Sequence, residues 1–128
     1  MATGFPATTG DVLSAAMFNG LVAFTVTTQS GATYTVANSD LYQVAILTSN
    51  ASTKTVTIAP DSTLTSAAVG SAITFINTGA GLLTFAAGSG VTIVSAGATS
   101  AAPTLATNKS AVAIRQSANS WIIIGAVA

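Results

Sequence analysis

From Leu21 onward the chain alternates large apolar residues with small polar ones, in runs of five to seven residues separated by Gly, Asn, Asp, Ser and Pro. Successive side chains on a strand point to opposite faces, so this period of two predicts strands with one face in a core. Phe24–Thr27, Tyr34–Val36, Val56–Ile58, Ile73–Phe75 and Val91–Ile93 each set an apolar residue against threonine. Threonine is β-branched and suits the face of a pleated strand that is not core. Further strands are predicted at Tyr42–Thr48, Leu82–Ala86, Ala111–Arg115 and Trp121–Ala126. Turns fall at Gln29–Gly31, Asn38–Asp40, Pro60–Ser62, Asn77–Gly81 and Gly88–Gly90, where residue types favour local hydrogen bonds or positive φ. Turns roughly every ten residues predict an all-β fold, a β-sandwich, jelly roll or barrel of short antiparallel strands.

The first residues break this pattern. Residues 1–10 carry Gly4, Pro6 and Gly10 and show no periodicity, which predicts an extended arm. Val12, Leu13, Ala16, Met17 and Leu21 fall at helical spacing, with Asp11 as a cap and Gly20 as a stop, which predicts a short N-terminal helix over Asp11–Asn19. The expected organisation is an arm and helix over 1–22, then a β-rich module over 23–128. The last strand is different again, because Trp121-Ile122-Ile123-Ile124 is apolar on both faces. Either both faces are covered within the molecule, or one lies in a subunit interface.

Composition narrows the functions available. The 128 residues include three acidic and three basic side chains, no histidine, no cysteine and no glutamate. Charged residues make up 5% of the chain, where an ordinary soluble domain has about a quarter. Such a surface is poorly protected against association, which suits a subunit covered by neighbours. The mean hydropathy of +0.69 is high, yet no apolar run approaches the roughly 20 residues of a spanning helix. The runs are also short for an outer-membrane barrel strand, and the start lacks the basic, apolar pattern of a signal peptide. The expectation is a protein made in the cytoplasm, with no membrane partner.

Little here can carry chemistry. Asp11 reads as a helix cap, and Asp40 and Asp61 as turn residues, so neither acid–base catalysis nor a calcium site is expected. Without histidine, only Lys54 and Lys109 could activate a serine, and Lys109 and Ser110 face opposite ways on a strand. Gly79-Ala80-Gly81 and Gly88-Ser89-Gly90 read as hairpin turns, since no helix follows them to complete a phosphate site. Lys54, Lys109 and Arg115 make no basic stripe for nucleic acid, and Arg115 reads as a rim or edge-protecting residue. No enzyme activity, cofactor or metal is expected.

Thr55–Pro60, Val69–Gly81, Leu83–Ile93, Ala111–Arg115 and Ser120–Gly125, with Ala32–Val36 and Asp40 upstream, together resemble a β-rich module recurrent in virion proteins of tailed bacteriophages, of capsid-decoration and fibre type. The resemblance covers about residues 32–125, and its most specific piece is the string from Phe85 to Ile93. It implies a virion structural role in an oligomeric, commonly trimeric, appendage, and brings no catalytic residues. Between Val94 and Asn108 the chain departs from the usual pattern, which marks that loop as a candidate contact. The expected function is a capsid decoration, or cement, protein that self-associates and docks on the major capsid protein at the capsid surface. A tail or head fibre component contacting host glycan is the alternative. The candidate interface residues are Phe5, Pro6, Phe18, Pro103, Trp121, Ile122 and Ile124.

Overall fold

A computed structural model describes residues 25–95 and 101–128. Ten strands occupy them: β1 Val26–Gln29, β2 Thr33–Thr35, β3 Ala45–Thr48, β4 Lys54–Ile58, β5 Ala72–Asn77, β6 Leu83–Ala87, β7 Thr92–Ser95, β8 Thr104–Leu105, β9 Lys109–Ser117 and β10 Ser120–Gly125. A single 3-10 helix, Asn38–Tyr42, follows β2. The all-β character expected from the alternation is present. The predicted arm and the Asp11–Asn19 helix lie outside the described residues.

The strands form a six-stranded sheet in the order β1-β3-β5-β9-β10-β7 and a four-stranded sheet in the order β2-β4-β6-β8. From β1 to β9 the chain crosses from one sheet to the other at every connection. From β1 to β6 a strand therefore pairs with the strand two before or after it, one full turn of the winding away. This makes β1–β3, β3–β5, β2–β4 and β4–β6 parallel, and β7–β10 is parallel as well. The expectation of antiparallel strands is thus corrected: among the described strands antiparallel pairing is confined to β5–β9, β9–β10 and β6–β8, with one isolated antiparallel bridge between Leu105 and Val127. Gly79-Ala80-Gly81 and Gly88-Ser89-Gly90 are likewise corners between sheets, and neither is a hairpin. The one hairpin among the described residues joins β9 to β10 through Ala118 and Asn119, the latter at φ 50°.

Alternation places every second side chain in the space between the sheets. Ile46, Ile73, Phe75, Ala111, Ala113, Trp121 and Ile123 come from the larger sheet, and Val56, Ile58, Leu83, Phe85 and Leu105 from the smaller one. Each large side chain so buried contributes about 1.5–3 kcal/mol. Ile93 of β7 joins them, and Val36, Ala59 and Leu64, from connecting segments, complete the core.

The corners stack as the strands do. The Gly79 N–H donates to the Thr48 carbonyl at 3.1 Å and the Gly81 N–H to the Asn50 carbonyl at 2.9 Å, while Asn50 Nδ2 donates to the Ser30 carbonyl of the preceding corner at 2.7 Å. Glycine is required here, because a Cβ at position 81 would lie 1.7 Å from the Ser52 oxygen and one at position 79 would lie 2.3 Å from the Asn50 nitrogen. Buried Asn77 locks this corner: its Nδ2 donates to the carbonyls of Gly81 and Leu105, both at 2.9 Å, and its Oδ1 accepts from the Gly79 N–H at 3.1 Å.

Candidate functional site

Five of the six charged residues lie among the described residues, and four of them are tied to the protein itself. The buried Asp40 carboxylate accepts from the Tyr34 hydroxyl at 2.5 Å, the Ala37 N–H at 2.8 Å and Gln43 Nε2 at 2.7 Å. Burial raises the Tyr34 pKa well above the ordinary phenol value, and the neighbouring Asp40 adds to the effect. Asp61 takes a two-pronged bond from Arg115, with Nε at 3.2 Å and Nη2 at 2.7 Å. It also exchanges bonds with Asn119, whose N–H donates to its carboxylate at 3.0 Å and whose Oδ1 accepts the Asp61 N–H at 2.8 Å. The Arg115 bond is the main reason the Asp61 carboxyl lies below its usual range. Arg115 therefore clasps a loop and is not the edge protector expected from its place at the end of an apolar run.

Lys54 points into the protein, 2% exposed, and its Nζ donates to the Gly31 carbonyl. Burial lowers its pKa. Lys109 alone of the five is exposed. Asp40 and Asp61 thus hold separate pieces of backbone, and no three His, Cys, Asp or Glu side chains gather among the described residues. No pocket opens there, and no helix is long and apolar enough to cross a membrane.

What remains for recognition is the outer surface of the two sheets, which differ in chemistry. On the four-stranded sheet Thr33, Thr55, Thr84 and Thr104 stand opposite one another in a single rank across all four strands. A second rank runs through Thr35, Thr57 and Ala86. This face offers hydroxyl and methyl groups in a regular row. On the six-stranded sheet the outward ranks are mostly apolar, with a few hydroxyls among them. One runs Thr28, Leu47, Ile76, Ser110, and another runs Ala72, Ile114, Ile122, Val94. Val112 stands between Thr74 and Ile124. Val26, Val94 and Ile124 are 50%, 45% and 38% exposed.

The candidate interface residues divide accordingly. Trp121 is wholly buried, its side chain turned inward beside Ile123, and Pro103 is buried too. Both belong to the interior of this chain and are corrected as contact residues. The reason for Trp121 is the strand period: in β10 residues 121 and 123 face in, and 122 and 124 face out. Among the described residues packing alone holds the indole, whose N–H meets no acceptor there. Ile122 and Ile124 do lie on the outer face. Phe5, Pro6 and Phe18 fall outside the described residues. Sequence reading missed Val26, Leu47, Ile76, Val94, Val112 and Ile114 as members of the same surface. Val26 sits in an ordinary alternating run, but Leu47, Ile76 and Val94 each follow another large apolar residue, and Val112 and Ile114 share a run without polar residues. That doubling marks a second apolar face, and the sheet order brings them together.

No family model matches the chain, and no curated protein and no solved structure does either.

Proposed function

We propose that the protein is a structural subunit of a tailed-bacteriophage particle, a capsid decoration protein that self-associates and seats on the major capsid protein. The observation that carries this reading is the division of the described charges and apolar groups. Asp40, Lys54, Asp61 and Arg115 are spent on internal bonds, while Val26, Val94 and Ile124 are left facing outward. A freely diffusing protein is kept apart from its copies by surface charge. A surface built the other way suits permanent cover by neighbours. The resemblance of residues 32–125 to virion modules points in the same direction, and segment 1–22 is the proposed attachment to the shell.

Finding labelled protein in many copies on the capsid shell of intact particles is the expected result. Its absence from particles overturns the reading. Shell binding weakened by removal of residues 1–10 supports the attachment role, and unchanged binding removes it. The fibre reading has less support: a glycan platform needs exposed aromatic rings, whereas Trp121 is buried, and Tyr34 and Tyr42 are half-buried.

A further inference from the structure

Resting on the structural-subunit reading, we propose that the outer face of the six-stranded sheet is the surface through which copies of this chain meet one another. Val26 lies on β1 at one edge of that sheet, and Ile124 on β10 and Val94 on β7 at the other, so exposed apolar side chains flank the half-buried Leu47, Ile76, Val112 and Ile114 of the strands between them. None of the described charges takes an outward position on it. Arg115 and Lys109 share the inward parity of Ala111 and Ala113, and Asp40, Asp61 and Lys54 belong to other segments.

The size is sufficient for association. Six strands spaced about 4.8 Å apart are about 29 Å across, and outward ranks recurring every ~6.6 Å cover about 20 Å along the strands. That gives on the order of 600 Å² per copy, or about 1,200 Å² for two faces, the lower end of specific interfaces.

Charge identifies the occupant. An ordinary protein surface, about a quarter charged, would have to bury ions against Val94 and Ile124 with no counter-charge. A second copy of this same face presents nothing that needs one. Contact through it depends on apolar burial and is therefore insensitive to salt.

The test is the native mass of the full chain at micromolar concentration and in dilution series, for wild type, V94K, I124K and the control T84K. Thr84 lies on the outer face of the smaller sheet. The expected result is an oligomer for wild type and T84K, unchanged in high salt, and monomers with wild-type circular dichroism for V94K and I124K. A monomeric wild type, or an oligomer indifferent to both lysines, overturns the proposal. The chain has no cysteine, so I124C supplies a single thiol as an independent readout. Protection from a thiol reagent that is lost on dilution supports contact between copies. Protection in a monomer at every concentration assigns the cover to this chain's own residues and overturns it. A monomer that is nonetheless found on virions refutes this face as the self-contact while leaving the virion reading intact. An oligomer that is absent from virions does the reverse.

Discussion

Phe75 and Phe85 meet edge to face between the two sheets, with ring centroids 5.1 Å apart and planes inclined at 72°. Phe75 belongs to β5 and Phe85 to β6, so one contact fastens the third turn of the winding to itself. Both rings are fully buried. Replacing either with alanine is expected to cost about 3–5 kcal/mol in chemical denaturation. The double variant should lose less than the two single losses added together, because the residues share one contact.

Gly81→Ala is expected to destabilise by at least about 2 kcal/mol, since the new methyl meets the Ser52 backbone and neither corner can yield. Gly31→Ala, whose Cβ would meet only the Thr33 oxygen at 3.5 Å, should change stability by no more than about 0.5 kcal/mol. Equal losses at the two positions, measured by thermal melts, would show that the corners do not stack as described.

Asp61→Asn removes the charge that Arg115 holds, and the variant should melt below wild type at neutral pH. The folded-state pKa of Asp61 is depressed, so its contribution is present above the unfolded value of about 3.9 and is lost as pH falls through the folded value. The gap between the two melting curves should therefore close in acid. A gap that persists there would mean that the effect is one of shape and not of charge.

Lys54→Met keeps the length of the side chain and removes a buried cation whose charged form is already disfavoured by burial. The variant is expected to be at least as stable as wild type at neutral pH, because an apolar side chain fills the same space without desolvating an ion. A clear loss of stability would show that the bond to the Gly31 carbonyl outweighs that cost.

All nine strands expected from the alternation overlap strands of the fold, because a threonine facing out and an isoleucine or phenylalanine facing in leave a period in the sequence itself. Thr104–Leu105 left none: two residues are too short to show a period, and they lie in the stretch read as a contact loop. Pairing was illegible for a different reason. The alternation that turns Val56 inward is the same whether β4 lies beside β3 or β6. Nothing in Gly79-Ala80-Gly81 distinguishes a hairpin from a corner until the Asn50 backbone is seen against it. Arg115 and Asp61 find each other across a sequence separation of 54. The apolar face was half visible at Ile122 and Ile124, because an unbroken isoleucine run is conspicuous. Val94 and Val112 join it through the sheet order.

The winding also decides which changes in length the chain can survive during its descent. A single residue inserted within Thr55–Thr57 exchanges core and surface for the rest of that strand and breaks register with strands on both sides. The long connection from Ala59 to Ser71 between β4 and β5, anchored by buried Ala59 and Leu64, already absorbs extra residues while Ile46 still meets Phe75 and Val56 still meets Phe85. Related chains should therefore differ in length at such connections or by whole turns, and an alignment should place its gaps at corners and never within ranks.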